Sequence, residues 1–245
     1  MRDLILFGLF IILLLAAQFA SAKTADEVIE KYIKARGGKD KLASVKSIYM
    51  EGTKEITGMK ATIKIIKKQD KLSRTEIENG IANEFVLITD KEAWTFFPLI
   101  SPVAHKVPGD VLAGLQTEMD IAGPLADYIA KGHKAELLGK ETVEGNACYK
   151  IKLITRAGKE MMFWVDAATY LVNQSSAITI GDGGGVASEI LTSYRNYKEV
   201  EGIQFAHTCE TKTIGPKASR MGEETLFYKI LINPIIDPKM FFPEN

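Results

Sequence analysis

The sequence predicts a mainly β protein of the α+β class, in which one curved antiparallel sheet has helices lying across it. From Ser47 onward, apolar and polar side chains alternate with a period of two, which is typical of strands. Short turn signals separate these runs, and Asn79-Gly80 is the strongest because it suits the positive φ angles of a type I′ hairpin turn. A single helical stretch, residues 101–134, interrupts the alternation.

The first predicted element is a helix over residues 24–36. Thr24 and Glu27 have the spacing of a capping box, in which a hydroxyl and a carboxylate each accept a hydrogen bond from an amide at the helix start. Gly37-Gly38 ends the helix, and residues 39–45 form a second short turn. One face of the helix carries Val28, Ile29, Tyr32, Ile33 and Arg36.

Twelve strands follow from the period-two pattern. The predicted strands are 48–55, 60–68, 72–78, 82–89 and 93–97 before the helical insertion, then 135–143, 146–154, 160–165, 171–180, 188–200, 203–213 and 225–232 after it. Within the insertion, Val111, Leu112, Leu115 and Met119 share a helical face, and 125–129 is predicted as a second helical piece. No linker divides the chain, so we expect one domain over residues 23–245.

Residues 1–22 have the pattern of a secretory signal peptide. Arg2 precedes an apolar run from Leu4 to Ala17, and Ala20-Ser21-Ala22 fits a small-x-small cleavage site. An uncleaved anchor is the alternative, although the run is shorter than the about 20 residues that span a bilayer. No cysteine stands at the junction for lipid attachment. We therefore expect a soluble periplasmic or secreted protein beginning at Lys23.

Composition and scattered polar residues favour binding over catalysis. The chain has 31 basic and 31 acidic residues, so nothing indicates a nucleic-acid partner. His105, His133 and His207 lack the spacing of a metal site, and Gly181–Gly185 lacks the features of a phosphate loop. Asp166, Asp182 and Asp237 occur in turns, where carboxylates cap local amides. We expect no enzyme activity, cofactor or metal, and we leave a Cys148–Cys209 disulfide open.

Several strands carry large apolar side chains at both even and odd positions. These are 85–88, 94–97, 161–165 and 226–228. Such strands need cover on both faces, so they indicate either a solid core or a curved sheet that encloses an apolar cavity under a helical lid. The cavity interpretation assigns ligand binding to six residues: Trp94, Phe96, Trp164 and the lid residues Leu112, Leu115 and Met119.

The order of several loose motifs resembles the LolA/LolB-like superfamily of outer-membrane lipoprotein-sorting proteins. The passages are 25–48, 144–153, Phe163-Trp-Val-Asp166 with Thr169-Tyr-Leu171, 197–203 and Phe241-Phe-Pro243. The resemblance implies an open antiparallel half-barrel with helices covering its concave face and an apolar cavity for acyl chains. No motif of this chain locates the family's buried lid-latching arginine. Arg74, which lies on a predicted strand, is a weak candidate for it.

The resemblance implies a periplasmic carrier that holds an acyl chain, a lipid or a lipoprotein, with a possible role in outer-membrane lipoprotein sorting and transient contacts with envelope membrane proteins. Relatives of this fold also include a stress-sensing regulator, so a non-carrier sensing or scaffolding module is the alternative. A hydrolase with an unrecognised site is a third hypothesis from another class.

Overall fold

A computed structural model describes residues 23–56, 58–180, 187–215 and 222–243. The predicted signal peptide at 1–22 and the glycine cluster at 181–185, with Asp182, lie outside the described residues.

Three α-helices and two 3-10 helices accompany the sheet. Helix α1 is Ala25–Arg36, α2 is Lys39–Ser44 and α3 is Gly109–Leu115, which continues into a 3-10 turn at Gln116–Met119. The predicted capping box is present, because the Thr24 hydroxyl accepts from Glu27 N at 3.2 Å and the Glu27 carboxylate accepts from Thr24 N at 3.3 Å. A second 3-10 turn, Pro238–Phe241, lies in the C-terminal tail. In the described part of the chain, no helix has the length and apolar character needed to cross a membrane.

Thirteen antiparallel strands form one sheet. Their bounds are β1 Ser47–Ile56, β2 Met59–Lys68, β3 Leu72–Glu78, β4 Asn83–Thr89, β5 Ala93–Phe96, β6 His105–Lys106, β7 Lys134–Val143, β8 Asn146–Ile154, β9 Glu160–Asp166, β10 Val172–Ile180, β11 Ala187–Val200, β12 Ile203–Ile214 and β13 Glu223–Ile232. The order is β6-β5-β4-β3-β2-β1-β13-β12-β11-β10-β9-β8-β7. β6 and β7 are the two edges, so the sheet stays an open half-barrel, as predicted.

The helices cover one face of the sheet, which we call the inner face. α1 packs on Tyr149, Ile151 and Phe163 of β8 and β9, and α2 packs with inward residues of β1, β2, β12 and β13. α3 and the turn after it lie on β4 and β5 near one edge. The opposite, outer face has its own apolar cluster, where the C-terminal tail covers β2–β5. Both faces are therefore covered at β4 and β5, whereas the outer face of β13 stays open, with Leu226 47% and Tyr228 62% exposed.

The helical piece predicted at 125–129 is wrong, because these residues form successive turns. Ala126 N donates to Gly123 O and Gly132 N donates to Ile129 O, while Asp127 has a φ of +49°, which an α-helix does not permit. The apolar spacing there arises because Leu125 and Ala126 anchor the turns in the interior.

Two smaller features of the sheet also differ from the prediction. β6 was not predicted, since two residues are too few for a periodic signal. The turn at Asn79-Gly80 is not type I′: only Gly80 has positive φ, and the Asn79 side chain instead accepts from Ile81 N and Ala82 N.

Candidate functional site

The inner face of the half-barrel is only partly covered. The side chains that the central strands direct inward remain half-buried beside the helices; they include Met50, Ile65, Ile77, Met161, Tyr194 and Cys209. A filled core would bury such residues almost completely. The half-barrel therefore presents a concave, largely apolar surface with incomplete packing, which is the geometry of a ligand-binding cleft.

α3 is the least buried element on this face. None of its own residues is fully buried, and Val111 is 47% exposed. Leu112 and Leu115 are half-buried against the small cluster of Ile88 and Ala93, and Met119 of the following turn is 5% exposed. The three predicted lid residues therefore do lie together on the inner face.

Polar contacts hold the segment after α3 at two points. Gln116 Nε2 donates to Thr89 O at 3.1 Å, and Ile121 N donates to Gln69 Oε1 at 3.0 Å. Both acceptors lie at strand ends of the sheet. These two hydrogen bonds therefore fix residues 116–121 to the sheet, whereas α3 itself has few apolar contacts.

The three predicted aromatic residues lie on the outer face, away from this lid. Trp94 and Phe96 pack with Phe85 and Leu87 beneath the C-terminal tail, and the Phe85 and Phe96 ring centres are 5.4 Å apart. Trp164 lies in β9, and eight other strands separate β9 from β5 in the sheet. Its Nε1 donates to Glu141 Oε2 at 2.8 Å, and Lys150 Nζ lies 5.2 Å from the ring centre.

The six predicted residues therefore do not line one cavity, because neighbouring residues of a strand point to opposite faces. The sequence shows that both faces of these strands are apolar, but not which face the helices cover. Ligand binding by Leu112, Leu115 and Met119 stays a prediction.

Arg36, the last residue of α1, is a site residue that the sequence analysis did not single out. Its Nη1 donates to Tyr32 Oη at 2.8 Å, and its guanidinium lies 5.7 Å from the Phe205 ring centre. The Nε atom is buried and has no hydrogen-bond partner. No ion pair joins Arg36 to a carboxylate of the described residues. The available signal was its position on the apolar face of α1, where an arginine is unusual.

Three other side chains mark the same interior. Burial raises the pKa of Tyr194 to about 12 and that of Cys209 to about 11, and it also raises the pKa of Tyr197. Each nevertheless keeps accessible surface and is only half-buried. Tyr194 Oη hydrogen-bonds Ser175 Oγ at 3.0 Å, and Tyr197 Oη donates to Val172 O at 2.8 Å.

A cavity of about 140 Å³ lies between α1, α2 and the turns at 120–131. Asp120 Oδ2 accepts from Lys131 Nζ at 2.6 Å, whereas Asp120 Oδ1 is buried without a partner. The space is too small for an acyl chain and suits a few ordered waters. Its lining consists of Ile33, Lys39, Leu42, Ala43, Val45, Gln69, Asp120, Ala122, Ala126, Asp127 and Lys131.

The remaining polar candidates have local partners. Asp166 Oδ1 accepts from Ala168 N and Thr169 N, as predicted for a turn aspartate, and His207 Nδ1 hydrogen-bonds Phe227 O at 2.8 Å. Cys148 and Cys209 are free thiols. Across the described ranges, no three His, Cys, Asp or Glu residues are grouped as metal ligands.

No family model and no curated protein matches this sequence. Solved structures are similar in fold. A DUF1329 family protein from Desulfovibrio piger aligns with a TM-score of 0.58 at 13% identity, over 90% of this chain and 98% of that one. A LolA superfamily protein from Nitrosomonas europaea aligns with a TM-score of 0.56 at 15% identity, over 89% of this chain and 98% of that one. The chain therefore has the LolA-like fold.

Proposed function

We propose that this chain is an exported, periplasmic binding protein that holds an acyl chain, either of a free lipid or of a lipidated protein, against the inner face of its half-barrel. The observation that carries the proposal is the incomplete cover of that face: inward side chains such as Met50, Ile65 and Tyr194 stay half-buried beneath the helices. The signal-peptide pattern of residues 1–22 supports export.

Hydrophobic transfer is sufficient to drive such binding. Each methylene removed from water contributes roughly 0.8 kcal/mol, so a long chain needs few polar contacts. The cavity of about 140 Å³ between α1, α2 and the turns at 120–131 is smaller than an acyl chain, so uptake requires part of the helical cover to move, and we propose that α3 is that part. Because α3 has no fully buried residue of its own, its opening should cost much less than global unfolding.

Two experiments test acyl-chain binding. Native mass spectrometry of the protein purified from a bacterial periplasm should detect a co-purifying lipid. After that lipid is removed, a fluorescent fatty-acyl probe should bind at micromolar concentrations and be displaced by unlabelled acyl chains. A protein that carries no lipid and does not bind the probe would contradict the proposal.

Lipoprotein sorting is the finer form of the proposal, and we propose no enzyme activity. A lipoprotein cargo requires space for the attached polypeptide outside the half-barrel, and the open edges at β6 and β7 leave such space in the described structure. A triacylated lipopeptide should then compete with the probe better than its delipidated counterpart does. Equal competition by both peptides would exclude the lipoprotein form of the proposal.

An envelope sensing or scaffolding module is the second candidate function. The loop between β5 and β6 favours it, because Leu99 is 71% exposed, Ile100 is 85% exposed and Val103 is 52% exposed. Adjacent exposed apolar residues often mark protein or membrane contacts. Replacing Leu99 and Ile100 with serine distinguishes the two functions when the proteins that crosslink to the variant and to the wild type in the periplasm are compared. A scaffold loses its crosslinked partner, whereas a carrier of acyl chains keeps both its crosslinking pattern and its probe affinity.

A further inference from the structure

The interior of the half-barrel contains a positive charge that has no negative partner among the described residues. Arg36 projects from the end of α1, and its guanidinium is held by Tyr32 Oη and lies against the rings of Tyr32 and Phe205. Asp120 pairs with Lys131 and Glu210 pairs with Arg195, and no described carboxylate pairs with Arg36. Arg74, a buried arginine of β3, differs from Arg36 because it forms an ion pair with Glu76.

Burying an ionised group is costly unless it is paired and hydrogen-bonded. The two rings offer Arg36 a cation–π contribution, which recovers part of the lost hydration energy but does not neutralise the charge. The phenols of Tyr194 and Tyr197 are engaged with Ser175 and with a backbone carbonyl, respectively. The described side chains thus leave the Arg36 charge uncompensated, and an anion entering the half-barrel would gain from it.

The free edge of the guanidinium suits a carboxylate. Tyr32 occupies Nη1, while Nε is buried and has no acceptor, so the side-on edge formed by Nε and Nη2 carries an unsatisfied donor that a ligand reaches once the cover of the inner face opens. Two parallel N–H donors on one edge match the two oxygens of a carboxylate. A single guanidinium balances one negative charge, whereas a phosphate monoester carries nearly two at neutral pH.

We propose that Arg36 is the anchor for the carboxylate of a free fatty acid, which enters the half-barrel headgroup first with its chain along the inner face. This inference rests on the proposed acyl-chain binding and adds the chemical class of the ligand and its orientation. The side-on edge of Arg36 binds the carboxylate, and the half-buried apolar residues of the central strands contact the methylenes.

The test compares oleate with oleyl alcohol as competitors of a fluorescent acyl probe, on the full chain processed in a bacterial periplasm. The two ligands share a chain and differ in the charged headgroup. For the wild-type protein we expect oleate to compete about tenfold better or more, as one charge-assisted bidentate contact provides. In Arg36→Gln this ratio should fall to about one, mainly through weaker oleate binding.

Arg156→Gln is the matched control, because it removes an exposed arginine from the loop after β8 and should keep the wild-type ratio. Thermal melts establish that each variant is folded. If Arg36→Gln fails to fold, Arg36→Lys replaces it in the test. Lysine keeps the charge but loses the two parallel donors of the guanidinium, so we expect an oleate to oleyl alcohol ratio between those of the wild type and one. If the wild type binds both ligands equally, the carboxylate anchor is rejected while acyl binding stands. If neither ligand displaces the probe, both proposals are rejected.

Discussion

Arg74 connects the outer face of the sheet to the C-terminal tail. Its Nε donates to Glu76 Oε1 at 2.6 Å, its Nη1 donates to Phe242 O at 2.9 Å, and its guanidinium lies 4.5 Å from the Phe85 ring centre. Both side chains of the ion pair are largely buried. This arginine therefore holds the tail and not a lid on the inner face, unlike the lid-latching arginine for which the sequence made it a candidate.

Replacing Arg74 with methionine should destabilise the fold by about 3 kcal/mol, because it leaves Glu76 desolvated without a partner. Urea denaturation measures this change in the free energy of unfolding. Lys64→Met is the control on the neighbouring strand, since its pair with Glu78 is more exposed and should be worth under about 1 kcal/mol. Equal losses for the two variants would contradict the role given to Arg74.

Tyr170 should titrate at unusually low pH. Lys23 Nζ donates to its phenol oxygen at 2.5 Å, and this hydrogen bond is the main cause that lowers the Tyr170 pKa to about 8. The folded protein then releases a proton that the unfolded chain keeps up to its ordinary pKa of 10.0. The stabilisation from this phenol consequently grows as the pH rises from about 8 towards 10, and it is lost as the pH falls through 8.

Spectrophotometric titration of tyrosinate checks this expectation. Tyr170→Phe should remove the step near pH 8. Tyr128→Phe should leave that step unchanged, because burial and its hydrogen bond to Asp26 raise the pKa of Tyr128 to about 12. A step that persists in Tyr170→Phe would assign the low pKa to another group.

At the scale of single residues, the sequence predicts side chains whose partners are local. Thr24 with Glu27, and Asp166 with the amides of its own turn, follow from spacing alone. The environments of Arg36 and Arg74 do not, because Phe205 comes from a distant strand and the Phe242 carbonyl from the tail. Only the position of Arg36 on an apolar helix face hinted at an interior charge.

At the scale of elements, α3 has the packing of a movable lid. Leu115 is half-buried in a cluster with only three fully buried members, so its burial contributes little to global stability. Leu115→Asp should therefore keep the protein folded with a loss of about 1–2 kcal/mol, while acyl-probe binding is lost because a charge now faces the ligand path. Paired thermal melts and probe titrations measure the two effects.

Val111→Asp is the matched control on the same helix, because Val111 is 47% exposed and its replacement should change neither stability nor binding substantially. Normal probe binding by Leu115→Asp would reject the lid role. Global unfolding of that variant would instead indicate that α3 completes a solid core.

The strands were predictable, because the alternation of buried and exposed residues along a strand follows the alternation of apolar and polar residues in the sequence. Most strand bounds agree within one or two residues of the structure, since each strand alternates with a period of two. The turns at 125–129 imitate a helix because Leu125 and Ala126 are buried by contacts with α1 and its neighbours, not by a helical face. Apolar spacing in so short a segment cannot separate these two causes.

At the scale of the whole molecule, the assignment of faces was the property that the sequence did not reveal. When a strand is apolar on both faces, its sequence does not indicate which face is covered by the helices and which by the C-terminal tail. The C-terminal residues Ile236, Met240 and Phe241 cover the outer cluster that contains Trp94 and Phe96. The helices gather on the inner face, so the proposed ligand surface and the tryptophans are on opposite sides of the same sheet.

This separation changes the spectroscopic expectation for ligand binding. The sequence assigns Trp94 and Trp164 to the ligand site, where their emission would report an acyl ligand directly, but both side chains lie on the outer face. A ligand on the inner face should therefore leave tryptophan emission nearly unchanged while the fluorescence of the acyl probe rises. It should also stabilise the fold, by about 2.7 kcal/mol when the free ligand is at about one hundred times its dissociation constant.

For a chain of this size, that stabilisation corresponds to a rise in melting temperature of about 5–11 °C, at 2–4 °C per kcal/mol. The measurement is a thermal melt with and without fatty acid, followed by circular dichroism so that it does not depend on tryptophan. Methyl-β-cyclodextrin, which removes free fatty acid, should reverse the shift. A large change in tryptophan emission that accompanies the thermal shift would place the ligand on the outer face, beneath the tail, and would contradict binding inside the half-barrel.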